Sequence, residues 1–391
     1  MTEVFLCAHR RTPIGRHGGS LATVRPDDMA ALVIDGLLDL APELTVDEVI
    51  FGCANQAGED NRNVARMAVL LSRLPETVPA LTVNRLCASG LDAVIAGARA
   101  IRDGADVVIA GGVESMSRAP LVMGKAEVAF ARDQRLYDTT IGWRFVNDRI
   151  SAGYGIESMP ETAENVAAEH GILRADQDGF ALRSQSRYDA AWHASDILPV
   201  TLAGRKGDTL VTSDEHPRAT SLARLAALPT PFRAGGCVTA GNAAGINDGA
   251  AAVILASAAG VARHGLTPLA RIGRAASAGV APRVMGIGPV AAVERLVALG
   301  ARPPSGADVI ELNEAFAAQV LACTRAWGLA DDDPRVNAFG GGISMGHPLG
   351  MSGARIAGTA ARRLAETGGR SALVTLCVGV GQGVALELLA V

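Results

Sequence analysis

The sequence predicts an α/β protein of two similar halves that stack in five layers, α-β-α-β-α, with a large insertion in the first half. Three observations lead to this fold. Hydrophobic residues make up 49% of the 391 residues but aromatic residues only 4%, and there are 45 glycines, which is typical of small aliphatic side chains packed around tight turns. The clearest strand candidates are apolar throughout and therefore need helices on both faces. Finally, one pattern of elements occurs twice.

The repeated pattern consists of a strand that ends in Val-Asn, a turn that contains glycine, a helix and an apolar strand. Because both copies predict the same order of elements, each is expected to form the core of one half. A second repeated feature is a short strand that enters a loop before a helix. The copies are residues 83–112 and 336–380 for the first pattern, and residues 47–53 and 307–313 for the second.

Domain boundaries are predicted where the repeated pattern stops. A segment with more charge, two of the three tryptophans and scattered proline and glycine interrupts the first half, and insertions beside a rigid core commonly carry binding residues. Within it we expect helices over Thr162–His170 and Ala175–Ala194, with Asp176 as an N-cap. The predicted segments are residues 1–118 (first half), 119–249 (insertion), 250–268 (return to the first half) and 269–391 (second half).

Charge and hydropathy argue against several classes of function. The 36 Lys and Arg residues against 40 Asp and Glu give a net charge of -4, which is unsuited to a general nucleic-acid binder. The longest apolar runs are about half of the ~20 residues that span a bilayer, so no membrane partner is expected. The six cysteines form no C-x-x-C pair, and charges run through the first 30 residues. We therefore expect a reduced, cytoplasmic compartment and no metal site.

Cys87 is a candidate nucleophile because it lies in the turn 84–90, just before a predicted helix. A helix N-terminus presents free N–H groups and partial positive charge, which favour a thiolate. The effect is ~0.3–1 kcal/mol and at most about 2, too little to ionise an ordinary thiol of pKa about 8.5 at neutral pH. A nucleophilic Cys87 therefore needs a base. Taken alone, Cys87 is better explained as a cysteine that serves only as a small apolar residue.

The candidate base is His347, in the glycine-rich segment 340–353. The repeat aligns Gly350 with Cys87, so the loop that carries His347 is the counterpart of the loop that carries the thiol. If the halves pack about a two-fold axis, the two loops meet near that axis. A histidine between glycine and proline is poorly placed for core packing, which favours a functional role.

Two further segments of the second half carry candidates. Cys377 ends an apolar strand before the glycines of 379–383, whose backbone N–H groups can approach a substrate oxygen. A thiol there is suited to acid/base work, although a cysteine that only packs in the strand explains it equally well. Asn313 follows the strand 309–312 and offers an amide that could hold a water or an oxyanion.

These segments together resemble the signatures of the thiolase family. The resemblance implies the thiolase fold and acyl transfer to and from coenzyme A, which is a substrate and not a permanently bound cofactor. It implies Cys87 as the acylated nucleophile, His347 as its base, and Cys377 as the acid/base for the acetyl-CoA enolate and for incoming CoA. His347, with a water on Asn313, would stabilise the enolate, and the N–H groups of Cys87 and Gly379 the tetrahedral oxyanion. The matching segments are 83–90, 313–317, 340–353 and 377–383, with 11–15 and 239–242 in addition.

The resemblance also implies binding residues. Positions that line the acyl pocket are matched by Met159, Met285 and Phe316, and the other matched binding positions, which include a contact to the CoA nucleotide, are Arg218, Phe232, Ala240 and Ala244. Ala244 stands where the family usually has a serine, so one hydrogen bond to CoA is expected to be lost, a change of ~0.5–1.5 kcal/mol in binding.

Residues 116–120, 138–145 and 159–165 most resemble the 3-oxoadipyl-CoA thiolases of aromatic-compound degradation. That resemblance implies a homotetramer that converts 3-oxoadipyl-CoA and CoA into succinyl-CoA and acetyl-CoA. Alternatives are a short-chain acetyl-CoA acetyltransferase, a non-catalytic acyl-CoA or lipid binder of the same fold, and a Cys87–Cys377 disulfide. A solvated or subunit-contacting role is as plausible for each cation that we consider for the terminal carboxylate: Lys125, Arg132, Arg135, Arg144 and Arg149.

Overall fold

The first half alternates strands and helices in the computed structural model, which describes residues 2–391. A short 3-10 helix at Leu86–Ala88 runs directly into the third helix. The strands are β1 (Val4–Arg11), β2 (Gly15–Arg16), β3 (Glu48–Gly52), β4 (Ala80–Val83) and β5 (Val107–Ser115), and the helices are α1 (Pro26–Leu38), α2 (Val64–Leu71) and α3 (Ser89–Arg102).

The insertion contains two small hairpins and five helices. Its strands are β6 (Leu121–Met123), β7 (Leu136–Asp138), β8 (Val200–Leu202) and β9 (Thr209–Val211), and its helices are α4 (Asp148–Tyr154), α5 (Met159–His170), α6 (Arg174–Arg187), α7 (Ala190–Ala194) and α8 (Leu222–Ala226).

The rest of the chain returns to the first sheet region and then builds the second half. Two 3-10 helices lie at Pro282–Ile287 and Pro304–Gly306. The main elements are β10 (Asn247–Ser257), α9 (Ala258–His264), β11 (Ala270–Gly279), α10 (Gly288–Ala298), β12 (Val309–Leu312), α11 (Ala317–Ala326), α12 (Gly342–Met345), α13 (Leu349–Thr367), β13 (Ser371–Val378) and β14 (Gln382–Leu389).

Local predictions in the insertion need three corrections. The helix expected over Thr162–His170 begins at Met159, because Ser158 and Glu161 form a capping box. The helix expected over Ala175–Ala194 is two helices, since the backbone becomes extended at Tyr188 before α7. Asp176 is not an N-cap residue but the third residue of α6, where its carboxylate accepts the N–H of Leu173.

The strands form one mixed sheet in the order β12-β13-β14-β11-β1-β10-β5-β3-β4, with β2 beside β10. β3 pairs parallel with β4 and β5, and β12 pairs parallel with β13, whereas the remaining pairs are antiparallel. Within the sheet, the two halves are joined only where β1 pairs with β11, over two residue pairs. Read from the outer strands towards this contact, the strand order is equivalent in the two halves. The order is β3, β5, β10, β1 in the first half and β12, β13, β14, β11 in the second.

Five layers result from this arrangement. Helices α3 and α13 pack against each other and against strands of both halves, so they form the central layer. Helices α1 and α2 cover the outer face of the first half, and α10 and α11 cover that of the second. The predicted α/β fold with two related halves is confirmed. None of the helices in the described chain is both long enough and apolar enough to cross a membrane.

The two central helices approach backbone to backbone near their N-termini. A Cβ atom built on Gly90 of α3 would lie 2.4 Å from the carbonyl oxygen of Gly350, and one on Gly353 of α13 would lie 2.1 Å from the backbone nitrogen of Leu91. Only glycine permits such contacts without displacing a main chain. The turns that precede these helices, one with Cys87 and one with His347, therefore lie on the same side of the central layer.

Candidate active site

Cys87 lies in the 3-10 helix that leads into α3. The preceding residue, Leu86, has a φ of 45°, an unfavourable conformation for a branched side chain. Hydrogen bonds hold this turn, because the N–H of Leu86 donates to Asn84 Oδ1 at 2.9 Å and Ser89 Oγ donates to the Leu86 carbonyl at 2.7 Å. The turn therefore presents the thiol from a rigid backbone.

Burial among protein atoms dominates the electrostatics of Cys87, although part of the residue faces a cavity. Desolvation raises the pKa of its thiol to about 11, against hydrogen bonds from the backbone N–H groups of Gly379 and of Cys87 itself, and the charge of Glu114 raises it further. The free enzyme therefore holds Cys87 as a thiol at neutral pH. Helix position alone does not ionise it, in agreement with the small energy expected from a helix end.

His347 is held in one tautomer by its hydrogen-bond partners. Ser352 Oγ donates to the carbonyl of Pro348 at 2.8 Å, so it accepts at the 2.6 Å contact with His347 Nδ1, which carries the ring proton. Asn313 Nδ2 lies 3.3 Å from His347 Nε2 and donates to it. Nε2 is therefore the basic nitrogen of a neutral imidazole.

The protonation state of His347 follows from its surroundings. Burial lowers the pKa of the imidazole to about 3, and the positive charge of Arg355 lowers it further. The ring is therefore neutral throughout the physiological pH range. A neutral imidazole accepts a proton, as a general base requires.

Asn313 lies between the imidazole and the last strands of the second half. It follows β12, and its N–H donates to the carbonyl of Thr375 at 3.0 Å, two residues before Cys377. The side-chain Oδ1 is buried and has no partner among the described residues. A buried acceptor without a partner is costly, so this oxygen suits a bound water or a substrate donor.

Cys377 lies at the end of β13, where it packs with Met285 and Phe316. Burial raises the pKa of its thiol well above the usual value, and a charge on Cys87 would raise it further. Cys377 lies two residues before Gly379, whose N–H meets the Cys87 thiol. Both are free thiols. The structure therefore contains no Cys87–Cys377 disulfide.

A cavity of about 390 Å³ opens beside Cys87, within the size range of small-molecule sites. Its walls come from both halves and the insertion, and include Gly379, Met159 and the segment 139–144. His347, Asn313 and Cys377 are buried and are not among the lining residues. Cys87 thus faces the cavity, whereas the imidazole, the amide and the second thiol are buried behind the lining.

Family models described as "Thiolase, N-terminal domain" and "Thiolase, C-terminal domain" match residues 4–259 and 266–390. The chain belongs to the thiolase family.

Full-length relatives support this assignment. A beta-ketoadipyl-CoA thiolase from Pseudomonas aeruginosa is 59% identical over 395 residues, which cover 99% of this chain and 98% of that protein. A 3-oxoadipyl-CoA/3-oxo-5,6-dehydrosuberyl-CoA thiolase from Escherichia coli is 56% identical over 398 residues, 99% of each chain. The structure of human mitochondrial 3-ketoacyl-CoA thiolase in complex with CoA matches with a TM-score of 0.90 and 36% identity, covering 100% of this chain and 98% of that one. The predicted thiolase fold is confirmed.

The binding residues expected from the thiolase resemblance separate into two groups. Met285 and Phe316 pack with Cys377, and Met159 packs against the same cluster. Four residues lie outside the cavity beside Cys87: Arg218, Phe232, Ala240 and Ala244.

Arg218 and Ala240 are both exposed, and the guanidinium of Arg218 donates to the Ala240 carbonyl at 3.4 Å. Phe232 is also exposed. Ala244 joins the insertion to the second half, because its N–H donates to the carbonyl of Ala315 at 2.9 Å. The predicted nucleotide contact, Arg218, thus lies at the surface. Ala244 instead bonds to Ala315, the residue that precedes Phe316.

Sequence reasoning missed Glu114, a buried carboxylate that lines the cavity. It accepts the backbone N–H groups of Ala54, Asn55 and Gly350 at 2.9, 3.0 and 2.9 Å. It therefore links the loop after β3 to the start of α13. Burial raises the pKa of Glu114 to about 7 against these three hydrogen bonds. A lone acidic residue at the end of the apolar strand β5 was the available signal.

Sequence reasoning also missed Arg355. This side chain of α13 is 1% exposed, and none of its three guanidinium nitrogens has a hydrogen-bond partner among the described residues. Its charge acts on His347 and is balanced at longer range by Glu311 and Asp214. An arginine among the small and apolar residues 349–361 of α13 was the signal for it.

No metal centre was predicted for this chain. Within residues 2–391, no three His, Cys, Asp or Glu side chains are grouped so that they could hold a metal ion.

Proposed function

We propose that this thiolase cleaves 3-oxoadipyl-CoA with CoA to give succinyl-CoA and acetyl-CoA, through an acyl group carried on Cys87. The observation that supports the proposal is that the end of β13 connects the candidate groups. The N–H of Gly379, two residues after Cys377, meets the Cys87 thiol at the cavity. Thr375, two residues before Cys377, accepts the N–H of Asn313, whose amide donates to the neutral His347. The substrate comes from the relatives, since the beta-ketoadipyl-CoA thiolase from Pseudomonas aeruginosa shares 59% of its residues over nearly the whole chain.

The first half-reaction forms the acyl-enzyme. The Cys87 thiol gives its proton to His347 Nε2 while its sulfur attacks the 3-oxo carbonyl carbon. The high pKa of Cys87 and the low pKa of His347, both caused mainly by burial, oppose a thiolate–imidazolium pair formed in advance. Proton transfer therefore accompanies the attack. The N–H groups of Gly379 and Cys87 that now meet the sulfur would hold the new oxyanion, where one lost donor costs about 3–4 kcal/mol.

The carbon–carbon bond then breaks. Its electron pair moves to C2, which forms the enolate of acetyl-CoA, and the 3-oxo carbon becomes a thioester on Cys87. The Nε2 proton of His347, with a water on Asn313, stabilises the enolate oxygen, and Cys377 donates its proton to C2. The buried, unpartnered Oδ1 of Asn313 supports a water at this point.

The second half-reaction releases the product. The thiolate left on Cys377 takes the proton of an incoming CoA thiol, and the CoA sulfur attacks the succinyl thioester. Cys87 leaves as a thiolate and recovers its proton from His347, which returns both thiols and the imidazole to their starting states. The CoA complex of the 36%-identical human thiolase supports CoA as the acceptor.

The proposal includes a homotetramer in the cytoplasm. Apolar side chains around the β6–β7 hairpin are strongly exposed, Phe130 by 98% and Leu136 by 62%, and such patches are typical of subunit contacts. The first-half sheet ends at the open strand β4, which a second copy could extend. All six cysteines are free, which is consistent with a reduced compartment. Light scattering after gel filtration measures the oligomer, and a monomeric mass would contradict this part of the proposal.

Comparison of kcat/KM for 3-oxoadipyl-CoA and acetoacetyl-CoA tests the substrate. We expect the larger value for 3-oxoadipyl-CoA, with acetyl-CoA and succinyl-CoA formed in equal amounts. A larger value for acetoacetyl-CoA would favour the alternative acetyl-CoA acetyltransferase. The Cys87→Ala variant is the matched control, because it keeps the cavity but cannot form the acyl-enzyme. If it retained turnover, a non-covalent mechanism would replace ours.

A further inference from the structure

The cavity beside Cys87 contains one cation for which the mechanism has no use. The acyl group left on Cys87 after 3-oxoadipyl-CoA cleavage ends in a carboxylate, and nothing in the chemical steps recognises that end. We infer that Arg144 binds this terminal carboxylate and gives the enzyme its preference for an acidic acyl chain. The inference rests on the proposed function, because it concerns the substrate of the same site.

The position of Arg144 separates it from the other cations of the insertion. Among the described residues that line the cavity, Arg144 is the one lysine or arginine. It shares this lining with Cys87 and Gly379, where the acyl group forms. The four other cations considered for this role are exposed and lie outside the lining: Lys125, Arg132, Arg135 and Arg149.

The guanidinium of Arg144 has no partner within the structure. The side chain is partly buried, yet no hydrogen bond or ion pair of the described residues involves it. By contrast, Arg118 at the same edge of the insertion pairs with Glu59. The planar donors of this unpaired guanidinium match a carboxylate in a bidentate geometry.

Two carboxylates of the protein also line this cavity, so the charge around Arg144 has to be considered. Glu114 is occupied by three backbone N–H groups and lies close enough to Cys87 to raise its pKa. Glu157 forms no ion pair with Arg144 within 4 Å. Neither acidic side chain therefore neutralises the arginine, which remains available to an anionic ligand.

The segment that carries Arg144 is anchored at two residues that precede the arginine, Thr139 and Trp143. Upstream, Thr139 Oγ1 donates to the Pro120 carbonyl at 2.6 Å and accepts Asn55 Nδ2 at 2.8 Å. Next to it, the indole N–H of Trp143 donates to the carbonyl of Glu157 at 3.4 Å, just before α5. These contacts hold the segment against the first half and against α5. The arginine is therefore presented from a fixed wall, as specificity requires.

The inference predicts a substrate-dependent effect. A carboxylate-bearing acyl chain gains charge-assisted hydrogen bonds from Arg144, whereas an acetoacetyl chain has no group to receive them. Replacement by methionine, which keeps the apolar length of the side chain, should therefore lower kcat/KM for 3-oxoadipyl-CoA by roughly 10- to 100-fold, the usual contribution of a hydrogen bond to a charged group. The value for acetoacetyl-CoA should change by less than about 3-fold.

The experiment compares Arg144→Met, Arg144→Lys and the matched control Arg149→Met in the full-length enzyme with both substrates. Arg149 is exposed, lies five residues along the chain and makes no side-chain contact with the cavity, so its variant should behave like the wild type. Arg144→Lys should retain part of the activity on 3-oxoadipyl-CoA because it keeps the charge.

Each outcome is decisive. An equal loss with both substrates, or no loss with 3-oxoadipyl-CoA, would overturn the assignment of Arg144. If Arg144→Met fails to fold, the charge-retaining Arg144→Lys decides, because a loss equal for both substrates would again exclude a carboxylate contact. Failure of the proposed function looks different, since the wild-type enzyme would then prefer acetoacetyl-CoA before any residue is changed.

Discussion

The N-terminal ends of α3 and α13 occupy equivalent places in the two halves but differ in chemistry. In the first half the position holds Cys87, which faces the cavity. In the second half it holds Gly350, whose added Cβ would lie 2.3 Å from the carbonyl oxygen of Val113. The histidine is three residues earlier, and its N–H donates to Asn247. The repeated scaffold therefore provides two similar positions, of which one carries a thiol that faces the cavity and the other allows close contact.

This difference shows how a repeated fold builds an asymmetric site. Close approach of α13 to strands β3 and β5 needs a residue without a side chain at Gly350, whereas the equivalent position in the first half has room for a thiol. Glu114 joins the two, because it belongs to β5 of the first half and accepts the N–H of Gly350. The first half therefore contributes the thiol of Cys87, and the second contributes the close backbone contact at Gly350.

The largest effect is expected from the second thiol. Cys377→Ser should still form an acyl-enzyme from an acyl-CoA, because Cys87 and His347 remain, but thiolytic cleavage should fall by about 10²- to 10⁴-fold, the usual contribution of a general acid or base. Mass spectrometry of the acylated protein and steady-state cleavage rates measure the two steps. An unchanged cleavage rate in this variant would show that Cys377 is not the acid/base of the reaction.

The contact between the halves is tested by Gly350→Ala. The new methyl group would meet the carbonyl oxygens of Val113 and Gly52 at 2.3 and 2.6 Å, so the backbone has to move. We expect a loss of roughly 1–3 kcal/mol in the free energy of unfolding, measured by denaturant titration. Gly179→Ala in α6 is the control, because its Cβ meets nothing within 4 Å. Equal stability of the two variants would mean that close approach is not required at Gly350.

The smallest effect is expected from Arg355→Met, which removes a charge near the imidazole. Burial is the main cause of the low pKa of His347 and Arg355 the second, so the pKa should rise but remain below its ordinary value. Since His347 acts as a base only when neutral, the acid limb of the pH profile of kcat/KM should move to higher pH, by roughly one unit or less.

The control for this measurement is Arg370→Met, which removes an exposed cation of the same half. Its profile should match that of the wild type. An acid limb that moves to lower pH in Arg355→Met would contradict the proposed electrostatic role, and a thermal unfolding curve separates that result from a loss of structure.

Several features of the site were readable in the sequence because they depend on neighbouring residues. The glycine turns and the apolar strands recur in order, which predicted two related halves. The strand predicted to end at Val336-Asn337 is, however, only an isolated bridge between Val336 and Ile310. Predictions of helix boundaries in the insertion were wrong. Aspartate is a common N-cap residue, yet α6 begins two residues before Asp176, at Arg174. The second helix predicted in the insertion is interrupted at Tyr188. Such boundaries depend on contacts that periodicity does not contain.

By itself, the sequence determined the repeated halves, the thiolase resemblance and the candidate residues Cys87, His347 and Cys377, since these follow from residue types and their spacing. Tertiary structure alone decided that Cys87 is a thiol and His347 a neutral base, and that Arg144 is the cation that lines the cavity. The physical reason is that a pKa depends on desolvation and nearby charge, and a binding wall on contacts between segments far apart in the chain. Neither quantity is a property of a short stretch of sequence.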